Sequence, residues 1–141
     1  MYLDDFLPNY DFNEIHTITV NASPERTFKA LKELTEAELS PLIFWMLNLR
    51  ILPAKLVGKL APAALHSGPF LDQLYQDGFI PLAEDPGKEV VFGLIGQFWK
   101  LDGGKEPSVH SPESFLNFED PAFAKVAANL AVSVDEQGRT Q

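Results

Sequence analysis

Residues Phe123 to Asp135 read FAKVAANLAVSVD, and no other stretch limits the possible fold so strongly. Ala124, Val126, Ala128, Leu130, Val132 and Val134 fall on one side of a two-residue repeat, and Lys125, Asn129, Ser133 and Asp135 fall on the other. The pattern predicts a long strand with one dry face and one wet face. Because it outlasts the usual strand of about five or six residues, the dry face calls for a large cover: a curved antiparallel sheet around a helix or a cavity.

A chain of 141 residues suits one domain, 1–141, with a core or an internal pocket. Eleven Phe are a heavy aromatic load that needs burial. Zero cysteines excludes disulfides, thiolate metal sites and a Cys nucleophile, and fits a reducing cytoplasm, where we place the chain. The start, MYLDDFLPNYDF, has acids where a signal peptide needs basic residues, and no run reaches the ~18 apolar residues of a spanning helix. A formal net charge of −9 argues against nucleic acid as a partner.

Residues 1–13 carry Tyr2, Phe6, Tyr10 and Phe12 among acids and are expected to be an arm that packs its aromatics onto the body. β-branching over Glu14 to Val20 predicts a first strand. Ser23 and Pro24 form an N-cap and N1 pair, with Glu25 at the positive end of the dipole; Phe28, Leu31 and Leu34 make the buried stripe of a helix over 24–34. Ser40 and Pro41 open a second, strongly apolar helix that Pro53 breaks, and Pro62, Ser67, Gly68 and Pro69 punctuate a loop. Phe70, Leu71, Leu74 and Tyr75 predict a short helix closed by Gly78 at C′.

After Gly78 the pattern turns extended. Phe79 to Glu84 and Lys88 to Trp99 read as a hairpin across Asp85, Pro86 and Gly87, with Pro81 at an edge or bulge because it has no N–H for a ladder. Glu113 to Phe118 reads as a short strand or turn before the long strand. Gly138 supplies a turn, and Arg139 to Gln141 reads as the opening of one further strand.

This order resembles the START-like superfamily, also called SRPBCC, which includes polyketide cyclases, lipid-transfer domains and pollen allergens of the Bet v type. The resemblance is carried by the strand leading into Ser23, Pro24 and Glu25, by GFIPLAEDPGKEVVFGLIGQFW from Gly78 to Trp99, and by FLNFEDPAFAKVAANLAV from Phe115 to Val132. It is similar most of all to small bacterial members with no assigned activity, over about residues 14–141. The resemblance implies an α+β helix-grip-like fold: a curved antiparallel sheet with helices after the first strand, enclosing an apolar cavity. Members add final strands and a long C-terminal helix, so the fold is expected to be incomplete at the C-terminus. An uncovered sheet face then implies a homodimer or a partner chain.

Motifs of reaction chemistry are absent. His16, His66 and His110 have no partner at ligand spacing, no nucleophile elbow occurs, and Gly93 and Gly96 lie inside a strand, where bulge or close-packing roles fit better than phosphate binding. The pairs Glu84 with Asp85 and Glu119 with Asp120 sit beside turn prolines and read as solvated turns. We therefore assign no catalytic residue, metal or cofactor. Between Leu39 and Leu71 there is no Asp or Glu, while Arg50, Lys55 and Lys59 contribute +3 and leave −12 for the rest of the chain. That segment reads as a buried helix with a surface turn, or as a lid whose cations meet an anionic membrane. The expected function is binding of a hydrophobic small molecule, such as a lipid or polyketide. Phe92, Leu94, Phe98, Val126, Leu130 and Val132 line the sheet side of the cavity, and Trp45 and Leu49 line the helical side. A cyclase or aromatase using the same cavity and an interaction module completed by another chain are the alternatives.

Overall fold

Ser23 caps the longest described helix. Its hydroxyl accepts the Arg26 N–H at 3.4 Å, and Pro24 stands at the first helical position, where no N–H is needed. In the computed structural model, which describes residues 2–35, 68–100, 105 and 107–141, this cap starts a helix at Pro24–Glu33. The elements in chain order are α1 (Leu3–Phe6), α2 (Pro24–Glu33), α3 (Phe70–Gln76), β1 (Ile80–Asp85), β2 (Glu89–Gly96), α4 (Pro112–Leu116) and β3 (Ala124–Ala131). The helix expected from Pro41, the loop from Pro62 to Ser67, and His66 with them lie outside the described residues.

α3 ends as its residues demand. The Phe79 N–H donates to the Leu74 carbonyl at 3.0 Å and the Gly78 N–H to Tyr75 at 3.3 Å, a Schellman pair that needs the positive φ of +95° at Gly78. The chain then runs into an antiparallel sheet of order β1-β2-β3. The Lys88 N–H donates to the Asp85 carbonyl at 2.9 Å and closes the β1–β2 turn. Pro81 lies on the outer strand, and the β1–β2 register shifts between Pro81 and Ala83, so the missing N–H falls on an edge and at a bulge.

Both faces of this sheet carry cores. On the first face Ile80, Leu82, Val91 and Ile95 pack with Val109 and with Phe115 of α4, and Leu3 and Phe6 of α1 lean on the same cluster. On the second face Val90, Phe92 and Val132 pack with Phe28 of α2 and Leu71 of α3. The Lys32 ammonium, 2.6 Å from Glu84, ties α2 to the β1 edge. As a surface ion pair it adds less than about 1 kcal/mol, so apolar burial holds the two layers together.

Several expectations are corrected. The α+β class stands, with a three-stranded antiparallel sheet. No strand forms over 14–20: the backbone pairs only at Val20, which bridges Thr140, and Ile15 and Ile18 are 80% and 74% exposed. Of the arm aromatics only Phe6 packs onto the body, while Tyr2, Tyr10 and Phe12 are exposed. The segment expected to be a strand or turn at 113–118 contains α4, opened by a reciprocal box in which Ser111 caps the Ser114 N–H and Ser114 caps the Ser111 N–H.

The face of β3 expected to be wet is partly covered: Lys125, Ala127 and Asn129 are half-buried, while Ser133 is exposed. Its small residue Ala127 pairs with Gly93, and Phe115 fills the space they leave. The Lys125 stem crosses that ring, with Nζ 4.8 Å from its centroid and donating to the Leu116 and Phe118 carbonyls. Gly138 forms the expected turn, and the chain returns so that Val134 and Thr140 pair.

Candidate functional site

The two-residue period of a strand puts Phe92, Leu94, Val126 and Leu130 on one face, and the register brings them together: Leu94 lies opposite Val126, Phe92 opposite Ala128, and Val90 opposite Leu130. Phe98 joins them although it lies beyond β2. A Cβ on Gly96 would lie 2.8 Å from Phe98 Cε1, so the ring folds back over the glycine on that same face. Val132 continues the row and is buried. All six sheet residues expected to line a cavity therefore share one face. Trp45, Leu49, Arg50, Lys55 and Lys59 lie outside the described residues.

This face has two halves. Near the β1–β2 turn, Val90, Phe92 and Val132 are buried beneath Phe28 and Leu71, with Leu31, Leu74, Tyr75 and Phe79 packed around them. The Phe79 ring meets Phe92 edge-on at 5.8 Å. Toward the other end the cover thins: Leu94 and Phe98 are half-buried and Val126 is 42% exposed. Sequence reasoning missed Val90, Phe28, Leu71 and Tyr75. Val90 was legible from its place in the period of β2, whereas the other three depend on how α2 and α3 dock.

A cleft of about 260 Å³ opens between α2, α3 and β1, lined by Lys32, Leu71, Tyr75, Glu84 and Val90 among others. Burial, and then the neighbouring Glu84 carboxylate, push the Tyr75 hydroxyl above its ordinary range, so it stays a neutral donor at physiological pH. On the same helix, α3, Gln73 is 3% exposed and donates from Nε2 to the Gly68 carbonyl at 2.9 Å. A more open groove of about 560 Å³ is lined by Thr19–Ser23 and Gly138–Thr140, which are themselves joined by the Val20 N–H to Thr140 carbonyl bond.

Reaction chemistry has few candidates. Among the described residues no group of three or more His, Asp or Glu could hold a metal ion. His16 is exposed beside Glu14, and His110 is exposed. Glu84 pairs with Lys32 and Asp85 with Lys88, while Asp120 accepts the Ala122 N–H in a local turn. The buried carboxylate of Glu89 accepts the Tyr2 N–H at 3.1 Å and Asn129 Nδ2 at 2.6 Å, which ties α1 to the first face of the sheet. Among the described residues no helix is long and apolar enough to cross a membrane.

No family model, curated protein or solved structure matches the chain.

Proposed function

We propose that this protein binds a hydrophobic small molecule, a lipid, polyketide or similar compound, against the Leu94, Val126 and Phe98 end of the second sheet face, in a helix-grip-like arrangement. The observation that supports this reading is the uneven cover of one continuous apolar face. Phe92 is 8% exposed under α3, yet Val126, two pairs further along, is 42% exposed. The row Val90, Phe92, Leu94, Gly96 and Phe98 on one strand, and Ala124, Val126, Ala128, Leu130 and Val132 on the other, contains no titratable side chain. Such a surface offers burial and shape, and no proton donor or base for a cyclase reaction. Covering on the order of 200 Å² of hydrocarbon there would contribute roughly 5 kcal/mol at about 25 cal/mol per Å².

The test is organic extraction of the purified protein followed by mass spectrometry, joined to titration with a fluorescent fatty-acid analogue. A reproducible apolar compound and at least tenfold weaker binding by Val126→Glu are expected. An empty protein whose Val126→Glu variant binds the analogue unchanged would remove the proposal.

A further inference from the structure

The cleft between α2, α3 and β1 joins a dry floor to a charged rim. Leu71 and Val90, which line it, are 4% and 2% exposed. Around them stand Lys32 of α2, Asp72 and Tyr75 of α3, and Glu84 of β1. At about 260 Å³ the space falls below the roughly 300–1,000 Å³ of sites for drug-sized molecules, so it suits one ring or a short branched chain.

The rim holds more acceptors than donors. Lys32 Nζ lies 2.6 Å from Glu84 Oε1, and no described group hydrogen-bonds to Oε2 of the same carboxylate. Among the described residues nothing pairs with the Asp72 carboxylate or with the Tyr75 hydroxyl. That hydroxyl feels Glu84, Lys32 and Asp72 together, so the four polar groups converge on one space. The neighbouring lysines are engaged elsewhere: Lys29 pairs with Glu33 and Lys88 with Asp85. Two carboxylates against one ammonium leave the rim with an uncompensated negative charge.

We propose that this cleft is a binding site for a small primary amine with an apolar body, held as its ammonium ion by Asp72, Glu84 Oε2 and the hydroxyl oxygen of Tyr75. The three N–H donors of a primary ammonium match the three acceptors left open, and the hydrocarbon covers Leu71 and Val90. A carboxylate ligand would reach Lys32 only by breaking its pair with Glu84, and would face Asp72 at like charge. A neutral alcohol fills the same space without answering the charge. The cleft lies apart from the Leu94, Val126 and Phe98 end of the sheet, and the proposal is independent of hydrophobic-ligand binding there.

The experiment titrates the isotope-labelled 141-residue chain with phenethylamine, phenethyl alcohol and hydrocinnamate at neutral pH and low salt, following the backbone amide resonances. Phenethylamine should shift the amides around Lys32, Asp72, Tyr75, Glu84 and Val90, the alcohol should bind about tenfold more weakly, and hydrocinnamate should not bind. Asp72→Asn, at an exposed position, should weaken the amine about tenfold, and Tyr75→Phe, which keeps the ring, should weaken it a few-fold. Three results would overturn the inference: no shift at these amides, alcohol or hydrocinnamate binding as tight as that of the amine, or an Asp72→Asn variant with unchanged amine affinity. Val126→Glu should leave amine binding unchanged, so failure here and failure of binding at the sheet face are read separately.

Discussion

Phe115 rests against the backbone of Gly93: a Cβ at Gly93 would lie 2.6 Å from Phe115 Cε2 and 2.9 Å from Leu82 Cδ1. Phe115 is fully buried, so neither ring nor strand has room to yield. Gly93→Ala should destabilise the protein by about 1–3 kcal/mol through overpacking, measured as a lower urea midpoint at constant slope. Phe115→Ala should lose about 3–5 kcal/mol. The double variant should lose less than the sum of the two, because removing the ring frees the space that the new methyl needs. Strict additivity in that cycle would mean that the contact does not govern Gly93.

Glu89 holds α1 in place through the Tyr2 N–H and the Asn129 amide. Glu89→Gln keeps the shape but replaces an acceptor of two donors with a group that is itself half donor, and a carboxylate bond with a neutral one. A loss of about 1.5–3 kcal/mol is expected, with faster chymotrypsin cleavage after Phe6. Unchanged cleavage would assign the anchoring of α1 to the packing of Leu3 and Phe6 alone.

Local signals were legible and non-local ones were not. Ser23–Pro24, Gly78 and Pro81 each act through a missing or supplied hydrogen bond within a few residues, and each has the role its chemistry predicts. Residues 14–20 were misread because β-branching reports fitness for a pleated surface, and Ile15 and Ile18 have no such partner among the described residues. The polar repeat of β3 was misread for a related reason. Ala127 opposite Gly93 leaves a hollow that only the distant Phe115 reveals as filled. At the candidate site the shared face of Phe92, Leu94, Val126 and Leu130 follows from period two, but the fold-back of Phe98 over Gly96 needed the tertiary structure.

Ser111–Pro112 repeats the signal of Ser23–Pro24 and opens α4 in the same way. The box at Ser111 satisfies two N–H groups, those of Ser114 and Ser111 itself, whereas Ser23 satisfies one. Removing both hydroxyls, Ser111→Ala together with Ser114→Ala, should therefore destabilise by about 1–2 kcal/mol and Ser23→Ala by about 1 kcal/mol. The doubly substituted variant should also broaden the Phe115 ring resonances, since α4 carries that ring into the core. Equal losses without a change at Phe115 would show that α4 is held by its ring and not by its cap.

The turn at 135–139 makes stability depend on acid. The Asp135 carboxylate accepts the Arg139 N–H at 2.7 Å, Arg139 Nε at 2.8 Å and the Gln137 N–H at 2.9 Å. The Arg139 backbone bond is the main cause holding its carboxyl below the usual 3.8; burial opposes it, and the Arg139 side chain and the Gln137 N–H add to the lowering. A depressed folded pKa means that the unfolded chain binds the proton first. The contribution is therefore complete above the unfolded value and disappears as pH falls through the folded value. Asp135→Asn should lower the urea midpoint at pH 6, and the gap from the parent protein should close as pH drops below 3.8. Because Thr140 and Gln141 are presented by this turn, the same variant should weaken the Ser133–Gln141 pair, seen as faster exchange of both amides at pH 6. A midpoint difference that stays constant between pH 6 and pH 2.5 would assign the loss to turn geometry instead of to the charge on Asp135.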